Sequence, residues 1–267
     1  MNIAFELQNV SLGVLSGVDL RVEKGAALAV MGENGAGKST LLGVLGGVLA
    51  APGVRQRIHG VYLPESSPLD SVVPVATWLR IARSLPGWDR TGEELIESLG
   101  IGTVVPLGVP AGGLSQGQRL RVGLVLALGR SAPAYVLDDP FLGLDAAARS
   151  VVLGVIAARS AEATLILASQ DVDATMRLCP ELLLLRRGTV VVRSELDAWR
   201  ERWRLVRLPA DRRRELDGLP VVRLQAEGNW LEALLDDPDG RHTQALGSVE
   251  RLDLPLPATF GLTPSQS

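Results

Sequence analysis

Apolar residues in the first sixty positions come in short runs cut by glycine. Ile3–Val10 alternates weakly, and Val18–Val22 and Ala26–Met31 predict strands on either side of Lys24-Gly25. Gly32–Gly37 is too glycine-rich to continue a strand. A run of small and leucine residues from Lys38 to about Leu49 predicts a helix, closed by Pro52-Gly53. Gly60–Leu63 is another short apolar run, ended by Pro64. From Val72 to Gly129 the pattern is mainly helical, with turns at Pro86-Gly87 and near Ala111–Gly113. Beyond it, Tyr135–Leu137 and Thr164–Ala168 predict buried strands. Arg149–Ser160 and Val172–Leu178 predict helices, and Leu182–Leu185 and Val190–Val192 predict the last strands of this section. Strands alternating with helices in this way predict an α/β fold around a mostly parallel sheet.

The pattern changes after Ser194. Trp199-Arg-Glu-Arg-Trp-Arg204 is basic and aromatic and predicts a solvated helix with its tryptophans packed on the preceding domain. Short β-like runs follow at Val221–Ala226, Trp230–Leu235 and Val249–Leu254. The expected organisation is therefore a domain over 1–193, with a helical subdomain at about 66–133, and a small C-terminal α+β appendage over 194–267. The tail after Leu262 is expected to fray.

Composition narrows the classes of function. The chain has 267 residues, 46% hydrophobic, and carries 27 basic against 30 acidic side chains, a net charge of −3. That balance argues against a protein that coats nucleic acid, and no nucleic-acid partner is expected. The amino terminus has no basic region ahead of an apolar core, and no stretch reaches the roughly 18 apolar residues of a membrane-spanning helix. The expected location is cytoplasmic. One cysteine, Cys179, and two histidines, His59 and His242, supply neither a disulfide nor a Cys/His metal set.

Only two of the 27 basic residues are lysines, Lys24 and Lys38. Lys38 follows the loop Gly32-Glu-Asn34-Gly35-Ala36-Gly37 and precedes Ser39 and Thr40, which fits G-x-x-x-x-G-K-[ST] between a strand and a helix. Glycines let backbone N–H groups turn toward phosphate oxygens, and the helix that follows points its positive end at the same anion. Lys38 would reach the β- and γ-phosphates and the Ser39 hydroxyl would meet Mg²⁺. The ligand expected here is a nucleoside triphosphate with Mg²⁺.

Two further segments choose among nucleotide-binding families. Leu114-Ser115-Gln116-Gly117-Gln118-Arg119 precedes a helical run, and Tyr135-Val-Leu-Asp138-Asp139-Pro140 follows, with Gly143-Leu144-Asp145 behind it. With NGAGKST in this order, residues 3–193 resemble the ATP-binding-cassette (ABC) nucleotide-binding domains. Tyr62-Leu-Pro-Glu65 and the ERWRLVRL opening of the appendage resemble the ATPase subunits of bacterial exporters of drugs and antibiotics.

The resemblance implies a P-loop fold of the ABC type and two chains sandwiching two ATP molecules. Ser115, Gly117 and Gln118 of one chain would cap the γ-phosphate held by Lys38 of the other. Asp138 would hold Mg²⁺, and Asp145 would lie in the loop crossing between chains. The partners implied are an integral membrane permease, which would place the chain on the inner face of the membrane, and a second ATPase chain, identical or different. The alternative function is a soluble ATP-gated clamp with no transport role.

The chain also departs from the family pattern. Asp139 stands where a glutamate polarises the attacking water, which withdraws the carboxylate by about 1.5 Å from work that depends on hydrogen-bond reach. Gln170, in Ser169-Gln170-Asp171, stands where a histidine contacts the γ-phosphate. Its amide donates a hydrogen bond and carries no charge. Glu65 replaces a glutamine and would present a harder oxygen to Mg²⁺. No aromatic residue lies in Ser11–Ser16 to stack on adenine, which leaves Leu12 or Val14 as apolar contacts. The expectation is ATP binding with slow hydrolysis.

Overall fold

The computed structural model describes residues 2–66, 69 and 72–252, which divide into two compact units at Val191/Val192.

In the first unit, β1 (Ile3–Leu12) and β2 (Leu15–Glu23) form an antiparallel ribbon, joined on the other side of β1 by β4 (Val54–Arg57). The sequence pattern missed β4 because its half-buried and exposed positions alternate over only four residues, two of them arginine. β3 (Ala27–Met31) leads into the glycine loop and α1 (Lys38–Gly46). That helix stops three residues short of the expected Leu49. Gly47, at φ 82°, takes the left-handed turn and donates its N–H to the carbonyls of Gly43 and Val44.

β5 (Val61–Leu63) precedes the helical segment, which holds α2 (Val75–Ser84), α3 (Arg90–Ser98) and α4 (Gln116–Leu128). The expectation of a mainly helical run to Gly129 is corrected over 99–110, which is turns. Gly100 and Gly102 adopt positive φ there, and Pro106 and Pro110 block a regular ladder. β6 (Ala134–Asp138), α5 (Ala146–Ser160), β7 (Thr164–Ala168), α6 (Val172–Leu178), β8 (Glu181–Arg186) and β9 (Thr189–Glu195) complete the alternation. α5 starts three residues before the expected Arg149 because the Asp145 side chain caps it, accepting from Ala148 N–H at 2.9 Å.

The central sheet runs β5-β6-β7-β3-β8-β9. The pairs β5–β6, β6–β7, β7–β3 and β3–β8 are parallel, and β9 returns beside β8 through the two-residue turn Arg187-Gly188, at φ 47° and 81°. β6 and β7 are buried at every position, as strands covered on both faces must be. Leu28, Val30, Leu41, Leu42, Val136 and Ile166 belong to one core that fixes where β3 and α1 meet.

The second unit is an antiparallel sheet in the order β11-β12-β10-β13. It opens with α7 (Leu196–Arg202) and β10 (Trp203–Pro209), then a short 3-10 turn at Ala210–Leu216, β11 (Val221–Glu227), β12 (Trp230–Asp236), α8 (Arg241–Ala245) and β13 (Glu250–Leu252). The helix expected over Trp199–Arg204 ends at Arg202, and Trp203 starts a strand not expected from the sequence. Trp199 and Trp203 are both buried, with ring centroids 5.4 Å apart. Val206, Leu208, Leu231, Ala233 and Leu235 form the core of this unit. Arg202 makes a two-armed, part-buried pair with Asp236, and Arg212 makes a more exposed one with Glu215. The expected run Val249–Leu254 lies partly, and the tail after Leu262 wholly, outside the described residues.

Candidate functional site

The C-terminal ends of β3, β6 and β7 bring a glycine loop, a carboxylate pair and an amide around one cavity of about 420 Å³. It is lined by Asn34, Gly35, Gly37, Lys38, Ser39 and Thr40 on one side and by Glu65, Asp138, Asp139 and Gln170 on the other, with Val14 at its edge. Ligands of open α/β sheets bind at this end of the strands.

The loop wall is made by the backbone. Gly32, Gly35 and Gly37 have φ of 149°, 80° and 106°. A Cβ on Gly32 would lie 2.4 Å from the Leu185 carbonyl oxygen, so that position has no room for a side chain. Lys38 lies back along the loop, its Nζ donating to the carbonyls of Gly32 at 2.9 Å and Glu33 at 3.1 Å. Ala36 and Gly32 belong to the loop but do not line the cavity. Ala36 is buried, and its carbonyl accepts from Gly188 N–H at 2.9 Å, while Ser16 N–H donates to the Gly188 carbonyl at 2.9 Å. The β8–β9 turn thus braces the loop from behind. The sequence signal for this brace was Arg187-Gly188 between two apolar runs, which reads only as a hairpin.

The opposite wall is made by side chains. Asp138 ends β6 and is 2% exposed, and its Oδ2 is buried without a hydrogen-bond partner. Burial, with the Asp139 and Glu65 carboxylates adding to it, pushes its pKa up to about 6 against a hydrogen bond from Ser39 and the charge of Lys38. Tyr62 beneath it is raised to about 12 by burial and the Asp138 charge.

An unpartnered buried carboxylate oxygen beside a serine hydroxyl, with Glu65 on the same cavity, is a set of hard donors that fits Mg²⁺. Among the described residues no three His, Cys, Asp or Glu side chains converge into a protein-only cage. Mg²⁺ suits such a site, because it retains waters and takes phosphate oxygens alongside one or two carboxylates.

Asp139 and Gln170 are brought together as well. Asp139 has φ 47°, its N–H donates to the Ala168 carbonyl at 2.8 Å, and its Oδ1 accepts from Gln170 N–H at 2.8 Å. Asp171, next in the chain, caps α6 and takes a two-armed ion pair from Arg149.

Ser115, Gly117 and Gln118 do not line this cavity. They start α4, where Ser115 and Gln118 form a reciprocal cap: Gln118 N–H donates to Ser115 Oγ at 3.2 Å and Ser115 N–H to Gln118 Oε1 at 3.0 Å. Gln118 Nε2 donates to the Val104 carbonyl at 2.8 Å, which ties its side-chain amide to the turn before α4. Asp145 is likewise used at home, capping α5 and pairing with Arg121. Of the two apolar candidates near the base, Val14 lines the cavity and Leu12 does not. His59 and His242 are absent from its lining.

A family model described as "ABC transporter" matches residues 15–60. The cytochrome c biogenesis ATP-binding export protein CcmA of Mesorhizobium japonicum is 33% identical over 171 residues, which cover 58% of this chain and 83% of that protein. The hemin import ATP-binding protein HmuV of Streptomyces coelicolor is 34% identical over 199 residues, 66% of this chain and 71% of that one.

The chain belongs to the ABC transporter ATP-binding family.

An ABC transporter ATP-binding protein of Streptomyces avermitilis is 33% identical over 191 residues, but the chain spans only 34% of its length. A solved ATP-binding subunit of an ABC transporter superposes with a TM-score of 0.63 at 26% identity, covering 74% of this chain and 92% of that one. The α/β fold with its parallel sheet is that of the ABC ATPases. No helix among the described residues is long and apolar enough to cross a membrane.

Proposed function

We propose that the chain is the ATP-binding subunit of an ABC exporter, binding MgATP and dimerising to drive a separate membrane permease, with weak intrinsic hydrolysis. The observation that carries the MgATP part is the buried, unpartnered Oδ2 of Asp138 facing the loop that holds Lys38. Backbone N–H groups of Gly35–Thr40 and the start of α1 would receive the phosphates, with the Lys38 ammonium exchanging its loop carbonyls for them. Ser39 and Asp138 would hold Mg²⁺, with Glu65 near enough to serve through water. When bound, the ion would neutralise negative charge on the phosphates. Support for export comes from the exporter-like Tyr62–Glu65 segment and from CcmA. HmuV is named for import.

Weak hydrolysis follows from the water side of the cavity. Asp139 is short and its Oδ1 is engaged, and Gln170 brings no positive charge. The exposed cap of α4 would serve a second chain through its N–H groups and Ser115, rather than through the occupied amide of Gln118.

The decisive test is equilibrium binding of labelled ATP with and without Mg²⁺. Saturable, Mg²⁺-dependent uptake is expected, and Lys38→Ala should weaken it at least a hundredfold. Uptake that survives this substitution unchanged overturns the reading.

A further inference from the structure

We infer that Asp139 is a positioning residue: its carboxylate latches the segment after β7 to the end of β6 and so seats Gln170 in the cavity. Three observations join here. Asp139 N–H extends the β6–β7 pairing by one residue, reaching the Ala168 carbonyl at 2.8 Å. Asp139 then turns into the left-handed region at φ 47°, and that turn folds its buried carboxylate back across the strand ends. There Oδ1 receives Gln170 N–H at 2.8 Å, and Gln170 lines the cavity beside it. The following residues are held from the other side. Asp171 N–H donates to Ser169 Oγ at 3.0 Å, and Arg149 grips the Asp171 carboxylate. Segment 168–171 is thus clamped between α5 and the end of β6, and the Asp139 carboxylate is the clamp nearest the cavity.

At the length of an aspartate the carboxylate meets this N–H at 2.8 Å, and the latch engages one of its two oxygens. What Gln170 is seated toward rests on the MgATP reading above; the latch itself does not.

The test compares the native chain with Asp139→Asn, Asp139→Ala and Asp139→Gly by NMR. Asn keeps an acceptor oxygen and tolerates positive φ. Gly relieves the backbone and removes the acceptor, so it separates loss of the latch from strain at this position. In the nucleotide-free chain, exchange of the Gln170 backbone amide is expected to quicken at least tenfold in the Ala and Gly variants. It should stay within threefold of native in the Asn variant. On saturation with MgATP, the Gln170 side-chain amide signals should shift in the native and Asn proteins and not in the other two.

An Ala or Gly variant that keeps either signature overturns the proposal, as does an Asn variant that loses either. Native protein that takes up no MgATP refutes the proposed function alone, because the exchange comparison still decides the latch.

Discussion

The two walls of the cavity are built by different means, and the difference separates what this chain binds from how fast it reacts. The loop wall is backbone: three glycines at positive φ and a helix start. Its fitness for phosphate depends on side chains only at Lys38 and Ser39. The opposite wall is side chains on the ends of β6 and β7, and its chemistry depends on where carboxylates and one amide point. On the proposed function, binding would rest on the backbone wall, while turnover would rest on the few side-chain atoms of the opposite wall.

The sharpest way to break this contrast is to change the water side alone. Asp139→Glu with Gln170→His restores reach and a titratable, chargeable group. General acid–base contributions are on the order of 10²–10⁴ in rate, so kcat is expected to rise at least tenfold from a slow native value while MgATP affinity changes little. The two sites act as a unit, and the double variant should exceed the product of the single effects. A native protein that already turns over at ordinary transporter rates, and gains nothing from the pair, erases the distinction between the walls.

The loop wall was legible in the sequence because it is local. G-x-x-x-x-G-K-[ST] specifies its own conformation within eight residues, and the structure adds only the brace from Gly188 and the tight approach of Leu185 to Gly32. Asp138 at a strand end was equally readable. The contact of Asp139 with Gln170 was not, since it joins residues 31 apart through an unusual φ that no pattern announces. The engagement of Gln118 by Val104 was hidden as well, because it depends on how the turns before α4 fold back on its first turn. In the second unit, α7 and β10 meet between two tryptophans six residues of arginine-rich chain cannot assign. Tertiary burial of Trp203 makes it a strand.

A middle-sized effect lies at the meeting of the walls. Asp138 has its pKa raised to about 6, so the nucleotide-free chain carries an unfavourable buried charge above that pH. The sign is opposite to that of a salt-bridged carboxylate. Between about pH 4 and 6 the unfolded chain is ionised while the folded chain holds the proton. Stability from this group therefore falls as pH rises through that window, and the full penalty is present above it.

Asp138→Asn is expected to stabilise the nucleotide-free chain at pH 7.5 by on the order of 1 kcal/mol, a gain that fades toward pH 4. The same variant should lose the Mg²⁺ dependence of ATP binding. In the native protein Mg²⁺ needs the ionised form, so Mg²⁺-assisted ATP affinity should drop about tenfold per pH unit below 6. Thermal melts and binding titrations across pH 4.5–8 measure both. An Asn variant that is less stable at pH 7.5, or a Mg²⁺ effect flat to pH 5, would show that Asp138 is not the hinge between binding and chemistry.

The smallest effect concerns the edge of the cavity, where the base of a nucleotide would lie beyond the phosphates. Val14 is 53% exposed there, and it is held close over the loop: a Cβ on Gly37 would come within 3.1 Å of its Cγ2. Its tip carries no ring and no group to read a base edge, so on the proposed function ATP would be gripped by its phosphates with little help from adenine. Base–aromatic stacking is worth about 1–3 kcal/mol, and an exposed turn realises the lower end of that range.

Val14→Tyr is therefore expected to tighten ATP and GTP alike by about fivefold, the counterpart of roughly 1 kcal/mol, and to leave inorganic tripolyphosphate unchanged. Competition titrations with the three ligands measure this directly. A gain shared by tripolyphosphate would mean that Val14 acts on the loop rather than on the base. No gain for any ligand would place the base away from the β1–β2 turn, and the backbone wall would then hold the triphosphate without a platform beside it.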